Sequence, residues 1–153
     1  MSNEVKKVDH PGQTLLVIRR SFSPANIAQV LGEILPKVYE YVVSHELAIA
    51  GAPVCCYKEW TEQTATVEAG LPIDGSAKPE GEIILSSVPA GTYASVIHEG
   101  SYDTIDQAHQ AIETWLRREG LHADTDVFEV YLTDPEEHPD PAHWQTQVMR
   151  RLT

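Results

Sequence analysis

The chain has 153 residues, a length that points to one domain with an ordinary core and no need of disulfide staples. Its formal net charge is −12, from 11 basic and 23 acidic residues, so it repels phosphate backbones and offers little support for direct nucleic-acid binding. No run of about 18 apolar residues is present and the N-terminal "MSNEVKKVDHPG" is polar, so neither a membrane span nor a signal peptide is expected. The adjacent Cys55 and Cys56 are ill placed for a mutual disulfide, and free thiols fit a cytoplasmic protein.

Taken in order, "QTLLVIRRSF" (13–22) reads as a strand. Ser23 and Pro24 then start a helix, with Ile27, Val30, Leu31, Ile34, Leu35, Val38 and Val42 at three- and four-residue spacing. Gly32 and Pro36 predict a break in it, followed by a second piece to about His45. Strands follow near 53–60 and 64–71, and "PIDGSAKPEG" (72–81) has the composition of a loop.

The second half repeats this order. "EIILSSVPAGTYASVIHEG" (82–100) gives a strand, a Pro-Ala-Gly break and a second strand. Asp103 is positioned to cap a helix whose stripe is Ile105, Ala108, Ile112, Trp115 and Leu116, with Gly120 just past its end. "VFEVYLT" (127–133) is a strand, "DPEEHPDPAH" (134–143) an acidic loop, and "WQTQVMRRL" (144–152) a closing strand. The expectation is an α+β domain over 1–153. It comprises two pseudo-symmetric strand–helix–strand–strand modules, about 13–72 and 82–152, in a mostly antiparallel sheet with helices on one face.

Two strands carry acids at interior positions. Alternation puts Phe128, Val130 and Leu132 on one face, expected to be covered by helix, and Val127, Glu129, Tyr131 and Thr133 on the other. In the earlier pair of strands, Thr64, Thr66 and Glu68 share a face, as do Cys55, Tyr57 and Glu59. The bland explanation is a wet sheet face. The sharper one is a cleft floor whose walls desolvate a carboxylate, making it a counter-charge for a cation or a general acid/base.

Other candidates carry less. His138 and His143 with Glu136, Glu137 and Asp140 match no zinc spacing, so a solvated loop is expected, and no metal or cofactor is implied. Cys55 has no identifiable base beside it in the sequence and reads as packing. His98 and His109 read as structural. Trp115 belongs to its helix stripe, whereas Trp60 and Tyr102 are candidate pocket walls.

"VPAGTYASVIHEGSYDTIDQAHQAIETWLRREGL" followed by "FEVYLTDP" resembles the GyrI-like, or AraC-type effector-binding, domain family, and "APVCCYKEW" and "VEAGLPI" fit its first half. The resemblance covers roughly residues 13–152. It implies a ligand cleft where the two modules meet, with Glu129 facing the ligand, Tyr131 and Tyr57 beside it, and Glu68 as a further acid. It also implies a choice of functions. The first is a standalone binding domain for lipophilic, aromatic or cationic small molecules, serving to sequester or sense them, with Trp60 and Tyr102 as further walls. The second is a hydrolase that opens cyclopropane-bearing DNA alkylators, in which Glu129 and Glu68 activate water and Tyr131 hydrogen-bonds the carbonyl. The third is a protein-binding gyrase inhibitor. A helix-turn-helix module is not expected, because the first strand begins near the first residue.

Overall fold

The computed structural model describes residues 4–134 and 137–153. Among them nine strands and two α-helices follow in chain order. They are β1 (Lys6–His10), β2 (Gln13–Phe22), α1 (Ile27–Ser44), β3 (Ala48–Ile49), β4 (Val54–Trp60), β5 (Ala65–Asp74), β6 (Ile83–Val88), β7 (Gly91–Glu99), α2 (Asp106–Glu119), β8 (Val127–Tyr131) and β9 (Gln145–Arg151). The chain forms two compact units, Pro11–Ala90 and residues 4–10 with Gly91–Thr153.

In the first unit the strands pair in the order β4, β5, β2, β6, all antiparallel, and the short β3 also pairs with β5. Strand β6 therefore completes the first unit, whereas the sequence reading assigned it to the second module. Arg20 on β2 reaches Glu33 on α1, which marks the α1 side of this sheet. By alternation and register, Leu16, Ile18, Val67, Ala69 and Leu71 share that side.

Helix α1 runs unbroken through Pro36, against the expected break. Its buried stripe is Val30, Ile34, Val38 and Val42. Both Gly32 and Pro36 fall on the exposed face. The carbonyl that Pro36 leaves without a donor is that of Gly32, which water can solvate there. The apolar stripe on the other face holds the helix together.

Gly70 carries a packing requirement of its own. A β-carbon at this position would drive into the Leu16 carbonyl and lie 2.8 Å from Val17 Cα, so only glycine lets β5 approach β2 this closely.

In the second unit the order is β1, β7, β9, β8, again antiparallel. Strand β1, in the N-terminal stretch that the sequence reading described only as polar, pairs with β7 along its whole length. Helix α2 packs Ala108, Ile112 and Leu116 against Ala94, Val96 and Val148, with Trp115 and Val127 at the margin of this cluster. Gly120 ends the helix at φ 67 in the left-handed conformation expected of it. Asp103 does not cap α2. It sits inside a 3-10 turn (Tyr102–Thr104) that precedes the helix, and neither start has a side-chain cap.

Candidate functional site

Strand β8 places Glu129 opposite Val148 of β9, and Val148 lies opposite Val96 of β7. Both valines belong to the α2 cluster, so Glu129 and Tyr131 lie on the helix side of the sheet. The sequence expectation had α2 covering Phe128, Val130 and Leu132. That face is the opposite one: Phe128 is buried there beside Met149 and edge-on to Tyr93, while Leu132 is exposed. Alternation separates two faces but does not say which one a helix covers, and here both carry apolar residues.

Glu129 is 5% exposed. Its two oxygens have different partners: Oε2 lies 2.7 Å from His109 Nε2 on α2, and Oε1 accepts from the Tyr131 hydroxyl at 2.9 Å. Tyr131 meets the edge of Tyr102, whose ring lies 4.9 Å from Trp144. Trp144 is fixed by donating its indole N–H to the His138 carbonyl. Burial raises the Tyr102 pKa, and the negative charges of Glu129 and Asp134 raise it further, so its phenol holds its proton. A nearly buried carboxylate thus stands beside an imidazole, with three aromatic rings next to it.

Sequence reasoning read His109 as structural and passed over Trp144. His109 stands four residues after Ile105 and three before Ile112, at the edge of the helix stripe, a position from which a polar side chain can reach the end of a strand. Trp144 carried no signal beyond opening the last strand. Trp115, read as core, packs at the margin of the α2 cluster.

The remaining candidates lie in the first unit. A bulge in β4 shifts the register between Tyr57 and Glu59. Tyr57 and Glu59 therefore do not share a face, as alternation had suggested. Tyr57 instead meets Trp60 edge-on, with ring centres 5.6 Å apart, and Trp60 is largely exposed. The extra residue of a bulge flips every side chain beyond it. Glu68 lies opposite Arg19, on the face away from α1. Its carboxylate accepts from Ser86 at 2.6 Å and from Arg19 at 3.2 Å.

Among the described residues no group of three or more His, Cys, Asp or Glu side chains gathers as a metal site. Asp140 instead accepts from the Ala142 amide in a short turn, and Glu136 of the same loop lies outside the described residues. Cys55 and Cys56 are buried and reduced. No helix among the described residues is long and apolar enough to cross a membrane. Two surface hollows, of about 510 and 450 Å³, lie along α2 near Trp115 and beside Tyr41 and His45, and neither is lined by Glu129.

A profile of the GyrI-like small molecule binding domain matches residues 3–152. This chain belongs to that family. The fold agrees throughout. The C-terminal domain of EcmrR superposes with a TM-score of 0.88 at 22% identity, over 100% of this chain and 99% of that one. SAV2435 bound to tetraphenylphosphonium matches at TM-score 0.65 and 14% identity, over 98% of this chain and 94% of that one. A hydrolase encoded by lin2189 from Listeria innocua matches at TM-score 0.60 and 12% identity, over 99% and 93%. Among proteins of curated function, none matches this chain significantly.

Proposed function

We propose that this GyrI-like domain binds lipophilic aromatic cations, to sequester or to sense them, with Glu129 as the counter-charge and Tyr131, Tyr102 and Trp144 as the aromatic wall. The observation that carries this reading is a carboxylate 5% exposed that hydrogen-bonds an imidazole and a phenol and stands next to a cluster of rings. Burying a carboxylate is costly unless charge or hydrogen bonds compensate it, and a lipophilic cation supplies the charge while bringing little hydration of its own. Ring faces add cation–π attraction of about 0.5–2 kcal/mol. The tetraphenylphosphonium held by SAV2435, a protein of the same fold, supports this ligand class. Tyr57 and Trp60 offer a second aromatic pair on their own sheet.

The test is a titration of wild type and Glu129→Gln with tetraphenylphosphonium and with neutral triphenylphosphine oxide. The cation is expected to weaken by more than about 1 kcal/mol, a factor of about five, and the neutral compound to be spared. Equal losses for both would remove the counter-charge role.

One observation favours a second reading. A carboxylate 2.7 Å from an imidazole, with a phenol on its other oxygen, is a set of groups able to take a proton from water and to hydrogen-bond a developing oxyanion. In a hydrolase of strained electrophiles, Glu129 would orient His109 or deprotonate the water directly, and Tyr131 would stabilise the product enolate. Glu68, held by Arg19 and Ser86, is less suited to share this work. Incubation with a cyclopropane-bearing alkylator at sub-stoichiometric protein decides the matter. Many equivalents of a plus-water product from wild type, and none from Glu129→Gln, establish turnover. Intact compound from both excludes that substrate class.

A further inference from the structure

Next to Glu129, the sheet of the second unit carries a row of polar side chains in register. His98 on β7 lies opposite Thr146 on β9, and Thr146 lies opposite Tyr131 on β8. His98 is 2% exposed and Thr146 fully buried. Two of their atoms, His98 Nδ1 and Thr146 Oγ1, are buried with no hydrogen-bond partner. The other ring nitrogen of His98 fixes the tautomer. His98 Nε2 lies 3.1 Å from the Ser101 carbonyl, which can only accept, so Nε2 carries the proton. In the neutral ring Nδ1 is then a bare lone pair. Thr104 Oγ1 completes this set at 3.0 Å from Nε2.

A lone pair and a hydroxyl oxygen on cross-strand neighbours, each buried and unpaired, are costly to keep unless something comes to use them. The 3-10 turn tied to His98 carries Tyr102, the same ring that lies on Tyr131 and Trp144. The turn hangs from Gly100, which sits at φ 125, a conformation that favours glycine.

We propose that His98 Nδ1 and Thr146 Oγ1 form a second, hydrogen-bond-accepting end of the ligand site, which selects cations that bear N–H groups over permanently alkylated ones. The ligand reaches them by displacing the Tyr102 ring, while the Ser101 carbonyl keeps its bond to Nε2 and so holds Nδ1 as a lone pair. Its ammonium then donates to Nδ1 and Oγ1 while its charge remains within the field of Glu129. This rests on the reading of Glu129 as a counter-charge and narrows the ligand class to protonated aromatic amines.

The test compares two probes, naphthylmethylammonium and naphthylmethyl-trimethylammonium, on wild type, Thr146→Val, His98→Leu and His98→Asn. The preference for the N–H probe is expected to fall about tenfold in Thr146→Val and His98→Leu, the worth of a hydrogen bond to a charged group. His98→Asn, whose side-chain carbonyl can stand where Nδ1 does, is expected to retain it. A merely structural hydroxyl would behave differently in a second readout: because the Thr146 oxygen has no partner, Thr146→Val is expected to melt at or above the wild-type temperature. A lower Tm for Thr146→Val would mean that the hydroxyl is already satisfied, and would overturn the proposal. So would a probe preference unchanged across the four proteins, even with the trimethylammonium probe still bound through Glu129. If neither probe binds wild type, the counter-charge reading falls and the proposal falls with it.

Discussion

Glu68 and Glu129 each interrupt an apolar strand, and each is more than nine-tenths buried, yet their surroundings are opposite in kind. Glu68 is answered by Arg19, a guanidinium that stays charged at any pH the protein meets, and by the Ser86 hydroxyl. Glu129 is answered, within its unit, by His109 and Tyr131, an imidazole that is charged only when protonated and a phenol. The first charge stands against a guanidinium of the same unit. Of the second, the partners described within its own unit are an imidazole and a phenol. Burial alone therefore does not distinguish the two carboxylates, whereas the chemistry of their described partners does.

The largest effect that would sharpen this contrast lies beside Glu68. Gly70→Ala forces a β-carbon into the Leu16 carbonyl and pries β5 from β2, the two strands that bring Glu68 to Arg19. A loss of about 3 kcal/mol is expected in urea unfolding, at the upper end of overpacking costs because the clash is with backbone. A loss under about 1 kcal/mol would show that the strands yield easily and that Glu68 is not rigidly held.

Next in size is Arg19→Met, which leaves Glu68 with Ser86 alone. Removing one partner of a buried pair costs about 3–5 kcal/mol. The Arg19 side chain is 56% exposed, so water can replace part of what it supplied. About 2 kcal/mol is therefore expected. Glu129→Gln makes the counterpart: a change of less than about 1 kcal/mol in stability, since the amide keeps the shape of the carboxylate and an oxygen for the Tyr131 hydroxyl, set against the loss of cation affinity predicted above. If Arg19→Met proved neutral and Glu129→Gln severely destabilising, the two roles would be reversed.

Much of this was legible in the sequence. Strand 13–22, the two strands within 82–100, the α2 stripe and its Gly120 cap followed from periodicity and turn chemistry. What was not legible had local causes. Pro36 predicted a break because the residue was weighed alone, while its position on the exposed face of α1 lets solvent take the orphaned carbonyl. The β4 bulge after Tyr57 is invisible to a period-two count, and it sends Trp60, not Glu59, to the side of Tyr57. Glu129 stood out as an acid in a strand, but its partner His109 lies twenty residues away on a helix flank, and only the docking of α2 on β7 and β9 brings the two together. The sequence order also hid the exchange of edges, in which β6 joins β2 and β1 joins β7.

The smallest expected effect reads the charge of Glu129 directly. Tyr102 has its pKa raised first by burial and then by Glu129 and Asp134. A phenol whose folded pKa lies above its unfolded value near 10 contributes stability that is fully present below about pH 10 and is lost as pH rises through the folded value. Phenolate absorbance, taken as the difference between each protein and its Tyr102→Phe form, isolates this one ring. In Glu129→Gln the Tyr102 titration is expected to move to lower pH but to remain above the ordinary tyrosine value, because burial, the larger cause, stays in place. A titration unmoved by Glu129→Gln would mean that Glu129 bears no negative charge beside Tyr102. The contrast with Glu68 would then be one of protonation state, and a cationic ligand would lose its counter-charge.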